Sequence, residues 1–179
     1  MATVTGDFAL TMDELRAVAR FVVACAEEVL PEFEHVHPRD PRPRAAIDAA
    51  REFADGARRT RLQRVTSLDA HRAAREASTE VARLAARSAG DAASAAYLHP
   101  IARATQVGHI LRAAASAARI AELNAGGDPA AGEPLIDEAR HRATPTVVAV
   151  LSRYPVPPIT RDRVSELQSA LDAALRSSG

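Results

Sequence analysis

The stretch Asp91 to Leu123, DAASAAYLHPIARATQVGHILRAAASAARIAEL, constrains this chain more than any other. Its only glycine is Gly108, and alanine fills most of the positions that a helix would bury. Alanine is the best helix former and adds almost no width, so helices built from it approach one another closely. We therefore expect a central helix here, capped by Asp91 and kinked or restarted near His99, because Pro100 removes a backbone hydrogen bond.

Around it the chain reads as amphipathic helices. Residues 1–10 form an arm without periodicity, and residues 11–179 read as one helical domain. Thr11 and Glu14 fit a capping box, and Leu15, Val18, Phe21, Val22, Cys25 and Val29 recur at helical spacing as far as Pro31, where the helix should end or kink. Asp40 and Pro41 open a second helix that runs to about Ala54, before Gly56. On it Arg44, Asp48, Arg51 and Asp55 are spaced as an ion-pair ladder. A third helix is expected from Thr66 or Ser67 to Ser88, ending at Gly90, with Leu68, Val81, Leu84 and Ala85 as its apolar stripe. Asn124 to Gly132 is a loop. Pro134 begins a helix, Thr144 and Pro145 restart one, Pro155 to Pro158 form a rigid link, and Thr160 caps a last helix with a seam of Val164, Leu167, Leu171, Ala174 and Leu175. Nothing alternates with period two, so no strand is assigned. The expected fold is all-α, a single bundle of about six helices. The composition agrees: apolar residues make up 47% of the chain, but aromatics only 3%, which favours helix packing over a sheet core.

The 23 basic and 23 acidic residues cancel, which argues against nucleic acid or an anionic membrane as a general partner. Every basic residue is arginine, whose forked guanidinium makes bidentate pairs. The lone Cys25 excludes an internal disulfide and is expected as a small buried apolar residue. No apolar run approaches the ~20 residues of a membrane span, and no signal peptide is recognisable, so the cytoplasm is the expected compartment.

Three clusters carry candidate chemistry. Glu32, Glu34, His35, His37 and Asp40 are metal-ligand types, but their spacing matches no zinc motif, and neither a metal nor a cofactor is expected. His37 with Arg39, Arg42 and Arg44 forms a basic patch that can receive an acidic surface or a phosphate, or pair internally with Asp40 and Asp48. Tyr97, His99, Arg103, His109 and Arg112 form a polar seam on the alanine-rich helix. That seam can bind an anion or perform acid–base chemistry, or be satisfied by acids of neighbouring helices. No phosphate loop, nucleophile elbow or HExxH motif is present.

Taken together, CAEEVLPEFE, HPRDPRPRAAIDAAREFADG, DAHRAAREA and AARSAGDAASAAY resemble the bacterial putative immunity protein family associated with polymorphic toxins. The most specific run is Pro38, Asp40, Arg42, Pro43, Arg44, Ile47 and Arg51, and the likeness extends from about Leu15 to Leu123. It implies a compact helical bundle that binds and neutralises a toxin or another protein. The chain departs from that pattern at Pro100 and at His141–Arg142, where a Trp–Gln pair is usual.

Three functions follow as expectations. The first is a non-enzymatic protein-interaction module, the reading that the resemblance favours. The second is a small-molecule binder or enzyme, which requires His99, Arg103 and His109 to converge on a cavity. The third is a helical DNA-binding regulator, which the neutral charge disfavours. The last helix offers its seam to the bundle or to a second copy as a homodimer.

Overall fold

The computed structural model describes residues 3–177. Among them the chain forms a hairpin, β1 (Thr3–Thr5) and β2 (Ala9–Thr11), followed by eight α-helices: α1 (Met12–Val36), α2 (Arg42–Ala54), α3 (Arg61–Glu76), α4 (Glu80–Ser94), α5 (Thr105–Asn124), α6 (Glu133–Arg142), α7 (Pro145–Leu151) and α8 (Arg163–Arg176). The fold is predominantly α-helical and single-domain, as the sequence implies, with eight helices in place of about six.

Thr11 and Glu14 make the expected capping box at the start of α1: Glu14 N–H donates to Thr11 Oγ1 at 3.1 Å and Thr11 N–H donates to Glu14 Oε2 at 2.8 Å. The helix does not stop at Pro31, which lies inside it. The proline removes one helical bond, but Phe33 beyond it is buried with Ala73, Ala74 and Ala85 in a second apolar cluster, and that packing carries α1 another turn and a half.

The third helix of the sequence reading is two helices. Thr60 and Gln63 form a capping box that starts α3 at Arg61, five or six residues earlier than expected, and the Thr79 side chain caps α4 by accepting from Ala82 N–H at 3.1 Å. Gly90 does not end a helix, and Asp91 does not begin one; both are buried within α4. The alanine-rich stretch is likewise divided. A 3-10 turn at Ala95–Tyr97 and an extended passage through Pro100 separate α4 from α5. The contacts of Asp91 with Arg112 and of Ser94 with His109 show the two helices running antiparallel. The central element is thus this helical pair. α4 packs against α1, α2, α3 and α5, and α5 packs against α1, α4, α6 and α8.

The broken segment finds its hydrogen bonds elsewhere, as buried backbone must. His99 N–H donates to Gln106 Oε1 at 3.0 Å, the His99 carbonyl accepts from the Tyr154 hydroxyl at 2.9 Å, and the Pro100 carbonyl accepts from Asp7 N–H at 2.8 Å. The last of these comes from the N-terminal hairpin, two strands where none was assigned, paired Thr3 to Thr11 through Thr5 to Ala9. A Cβ at Gly6 would lie 2.4 Å from the Pro100 oxygen, so only glycine permits this docking.

Toward the C-terminus the expectations hold more closely. α6 and α7 start where predicted, with Thr144 capping α7. Asp162 rather than Thr160 caps α8, accepting from Ser165 N–H at 3.2 Å. Val164, Leu167, Leu171 and Leu175 of the seam are buried against the bundle.

Candidate functional site

The polar seam does not gather at one point. Its organised part is an ion pair: Arg112 of α5 donates from Nε to Asp91 Oδ2 at 2.8 Å and from Nη2 to Asp91 Oδ1. Asp91 is fully buried. His71 of α3 sets its Nε2 3.8 Å from Asp91 Oδ1, and His109 Nδ1 lies 3.3 Å from Ser94 Oγ. Burial lowers the pKa of both imidazoles; for each, Asp91 opposes that shift and Arg112 adds to it. Both rings are therefore neutral near pH 7. Arg112 is held charged by Asp91, although burial alone would favour the neutral form.

The other seam residues point elsewhere. Tyr97 donates its hydroxyl to the Thr60 carbonyl at 2.7 Å, and its ring lies 4.8 and 4.6 Å from the guanidinium carbons of Arg59 and Arg64. His99 and Arg103 are exposed. A cavity of about 300 Å³ opens beside Arg112, lined also by Arg87, Gly108, Asp162 and Gln168, but not by His99, Arg103 or His109. Burial, with Arg112 and Arg83 nearby, lowers the pKa of Arg87 there, and Asp91 and Asp162 oppose that shift.

The basic patch is largely absorbed into internal pairs. Asp40 accepts from Arg42 Nε at 2.9 Å and Nη2 at 2.7 Å, and Arg42 also reaches Glu76 at 2.6 Å. Asp40 accepts from Arg42 N–H as well, one residue outside the cap position expected of it. Arg42 draws the Asp40 carboxyl below its ordinary range. Arg44 makes a forked pair with Glu34 at 2.6 and 2.7 Å, and Arg51 reaches Glu27 as well as Asp48. The expected ladder along α2 therefore becomes mainly a clamp between α2 and α1. Arg39 stays exposed, and His37 stacks on Phe33 with centroids 4.9 Å apart.

Glu32 accepts from Asn124 at 2.9 Å, so the acids and histidines of residues 32–40 diverge. Among the described residues no three metal-ligand side chains form a group that could hold an ion. Cys25 is buried, as expected, and burial raises its thiol pKa to about 11 despite contact with Arg142. A thiol in that state is no nucleophile at neutral pH.

The sequence reading missed the outward face of α3. This helix buries Gln63, Thr66, Ser67, Ala70, Ala73 and Ala74 and leaves its large aliphatics outside. Leu62 is 45% exposed, Val65 39% and Leu68 54%, which corrects the expectation that Leu68 is part of the buried stripe. The inward residues are small or hydrogen-bonded to backbone carbonyls: Ser67 Oγ donates to the Gly90 carbonyl at 2.9 Å, Gln63 Nε2 donates to the Ala49 carbonyl at 3.0 Å, and Thr66 Oγ1 donates to the Leu62 carbonyl at 2.9 Å. A face of this kind lets α4 come close, and the bulky side chains turn to solvent. Arg58, Arg59, Arg61 and Arg64 surround or flank this face and make no ion pair among the described residues. The signal was available: residues 56–68 contain four arginines and no acid.

No helix among the described residues is long and apolar enough to cross a membrane. The family described as Imm-5 like putative immunity protein matches residues 9–133. No curated protein and no solved structure matches the chain. The family match spans β2 through α5 and reaches the first residue of α6, well over half of the sequence, and the chain belongs to that family.

Proposed function

We propose that this member of the Imm-5 like immunity family is a non-enzymatic interaction protein that binds a protein toxin and blocks it. The observation that carries this reading is the fate of the candidate catalytic groups. Asp91 and Arg112 neutralise each other, with Asp91 sealed in the core. Asp40, Arg42 and Arg44 are committed to internal pairs. His99 and Arg103 stand apart on the surface. An enzyme needs convergent groups with access to substrate, whereas a blocking protein needs only a stable surface of the right shape and charge.

The test is neutralisation. The full chain is used to capture its partner from cells that carry it, and the captured protein is then expressed with and without the chain in a sensitive host. Growth restored only by co-expression, together with a stoichiometric purified complex, is the expected result. A captured protein whose toxicity the chain leaves unchanged overturns the reading.

A further inference from the structure

We infer that the outward face of α3, with the approach to it from Ala57 to Thr60, is the docking surface for a protein partner that presents carboxylates around an apolar centre; this rests on the interaction-protein reading above. Leu62, Val65 and Leu68 follow one another at three-residue spacing and form one aliphatic ridge on the helix. In the first half of α3 three aliphatics are exposed while Gln63, Thr66 and Ser67 face inward, the reverse of the usual amphipathic pattern; the second half buries Ala70, Ala73 and Ala74. An apolar ridge with a charged rim is the anatomy of a protein interface.

Among the described residues no ion pair compensates the charge around the ridge. The nearest acids in sequence are Asp55 and Asp69, and Asp69 is taken by Arg72 at 2.8 Å. Arg61 occupies the first position of α3, and the first turn holds no acid. The N-terminal end of a helix is already positive, so arginine there is unfavourable in the free protein. A partner carboxylate would relieve both the helix end and the arginines.

The same features argue against other occupants. A second copy meeting this face through a two-fold axis would set arginine against arginine. Single-stranded nucleic acid needs free aromatic platforms, whereas the Tyr97 ring is already covered by Arg59 and Arg64. Phosphate backbones make no use of an aliphatic ridge.

The experiment pans a displayed library of short random peptides against the folded full chain, with a short DNA duplex as a second probe. Two variants accompany the wild type: R58E/R61E, which reverses two of the four rim charges, and L68S, which removes the most exposed residue of the ridge. All three positions are exposed, so the thermal midpoint is expected to stay level or rise. Selected peptides should be rich in Asp and Glu around a large apolar residue. Their affinity should fall roughly tenfold or more in each variant and weaken as salt is raised. Peptides without acidic enrichment, or peptides whose affinity for the wild type is kept by either variant, overturn the assignment. So does DNA that binds more tightly than the peptides and is lost with R58E/R61E. If both variants still neutralise the captured toxin, the face is wrong and the interaction reading stands. If the wild type neutralises nothing, the interaction reading itself fails.

Discussion

At the scale of single residues, the interior is held by a few polar commitments in a core of small side chains. Asp91 has no exposure and depends on the forked contact from Arg112. Removing one member of a buried pair strands the other charge, whereas replacing both with apolar groups is often neutral or better. Arg112→Met should therefore cost about 3–5 kcal/mol in urea unfolding, and the double variant D91L/R112M should recover most of that loss. Gly90 shows a second commitment. A Cβ there would meet three ring atoms of His71 at 2.7 to 2.9 Å. Gly90→Ala gains about 1 kcal/mol of helix propensity but forces that ring out of place, so the variant should be less stable than wild type. H71A should rescue it, which thermal melts of the single and double variants would check.

The two histidines set a pH dependence. Both His71 and His109 lie below their ordinary value of 6.5 in the fold, chiefly through burial. Once unfolded they regain it. As pH falls below 6.5 the unfolded chain takes up protons that the folded chain refuses, so stability declines until the folded values are reached. Above 6.5 this contribution is complete and flat. The carboxyls lowered by arginine partners, among them Glu34 and Glu122, lose their contribution in a separate window below 4.5. Denaturant midpoints should therefore fall between pH 7.5 and 5.5, and less steeply in H109N.

At the scale of elements, α3 is the unusual helix. Its large residues face outward and its small ones inward, and it begins with arginine at its positive end. Arg61→Glu should stabilise the free protein by about 0.3–1 kcal/mol while weakening partner binding, which thermal melts and affinity measurements on one preparation can separate. What the sequence disclosed about elements follows the same physics. Caps with a side chain at fixed spacing, such as Thr11 with Glu14 and Thr144 before Pro145, marked real starts. The stretch between Thr66 and Gly90 did not reveal its break, because Ala77, Ser78 and Thr79 contain neither glycine nor proline, and the cap signal at Thr79 lies inside an otherwise helical pattern. Pro31 misled in the other direction, since tertiary packing of Phe33 outweighed one lost hydrogen bond. For the candidate site, the Asp91–Arg112 contact joins residues 21 positions apart on two different helices. Reading both as one helix hid it. The α3 face was legible as charge without acids but was obscured by the assumption that Leu68 points inward.

At the scale of the whole molecule, alanine makes the bundle dense. Ala85, Ala86, Ala89, Ala92, Ala93, Ala115 and Ala118 have no exposed surface, and they lie where α4 and α5 meet each other and their neighbours. Close backbone approach of this kind leaves little room for an internal ligand. The N-terminal hairpin and the segment after α7 are tied to each other. Phe8 meets Tyr154 edge to face at 5.0 Å, and Arg153 donates to the Ala9 carbonyl at 2.8 Å. The family match stops at residue 133, so α3 lies within it and α7 and α8 beyond it. The most direct measurement of the central claim is native mass spectrometry of the full chain, alone and with its captured partner. The free protein should show the bare chain mass, or a clean multiple of it, and with the partner a stoichiometric protein complex that R58E/R61E weakens. A small molecule retained by the free chain and lost on unfolding, with no protein complex formed, would contradict it.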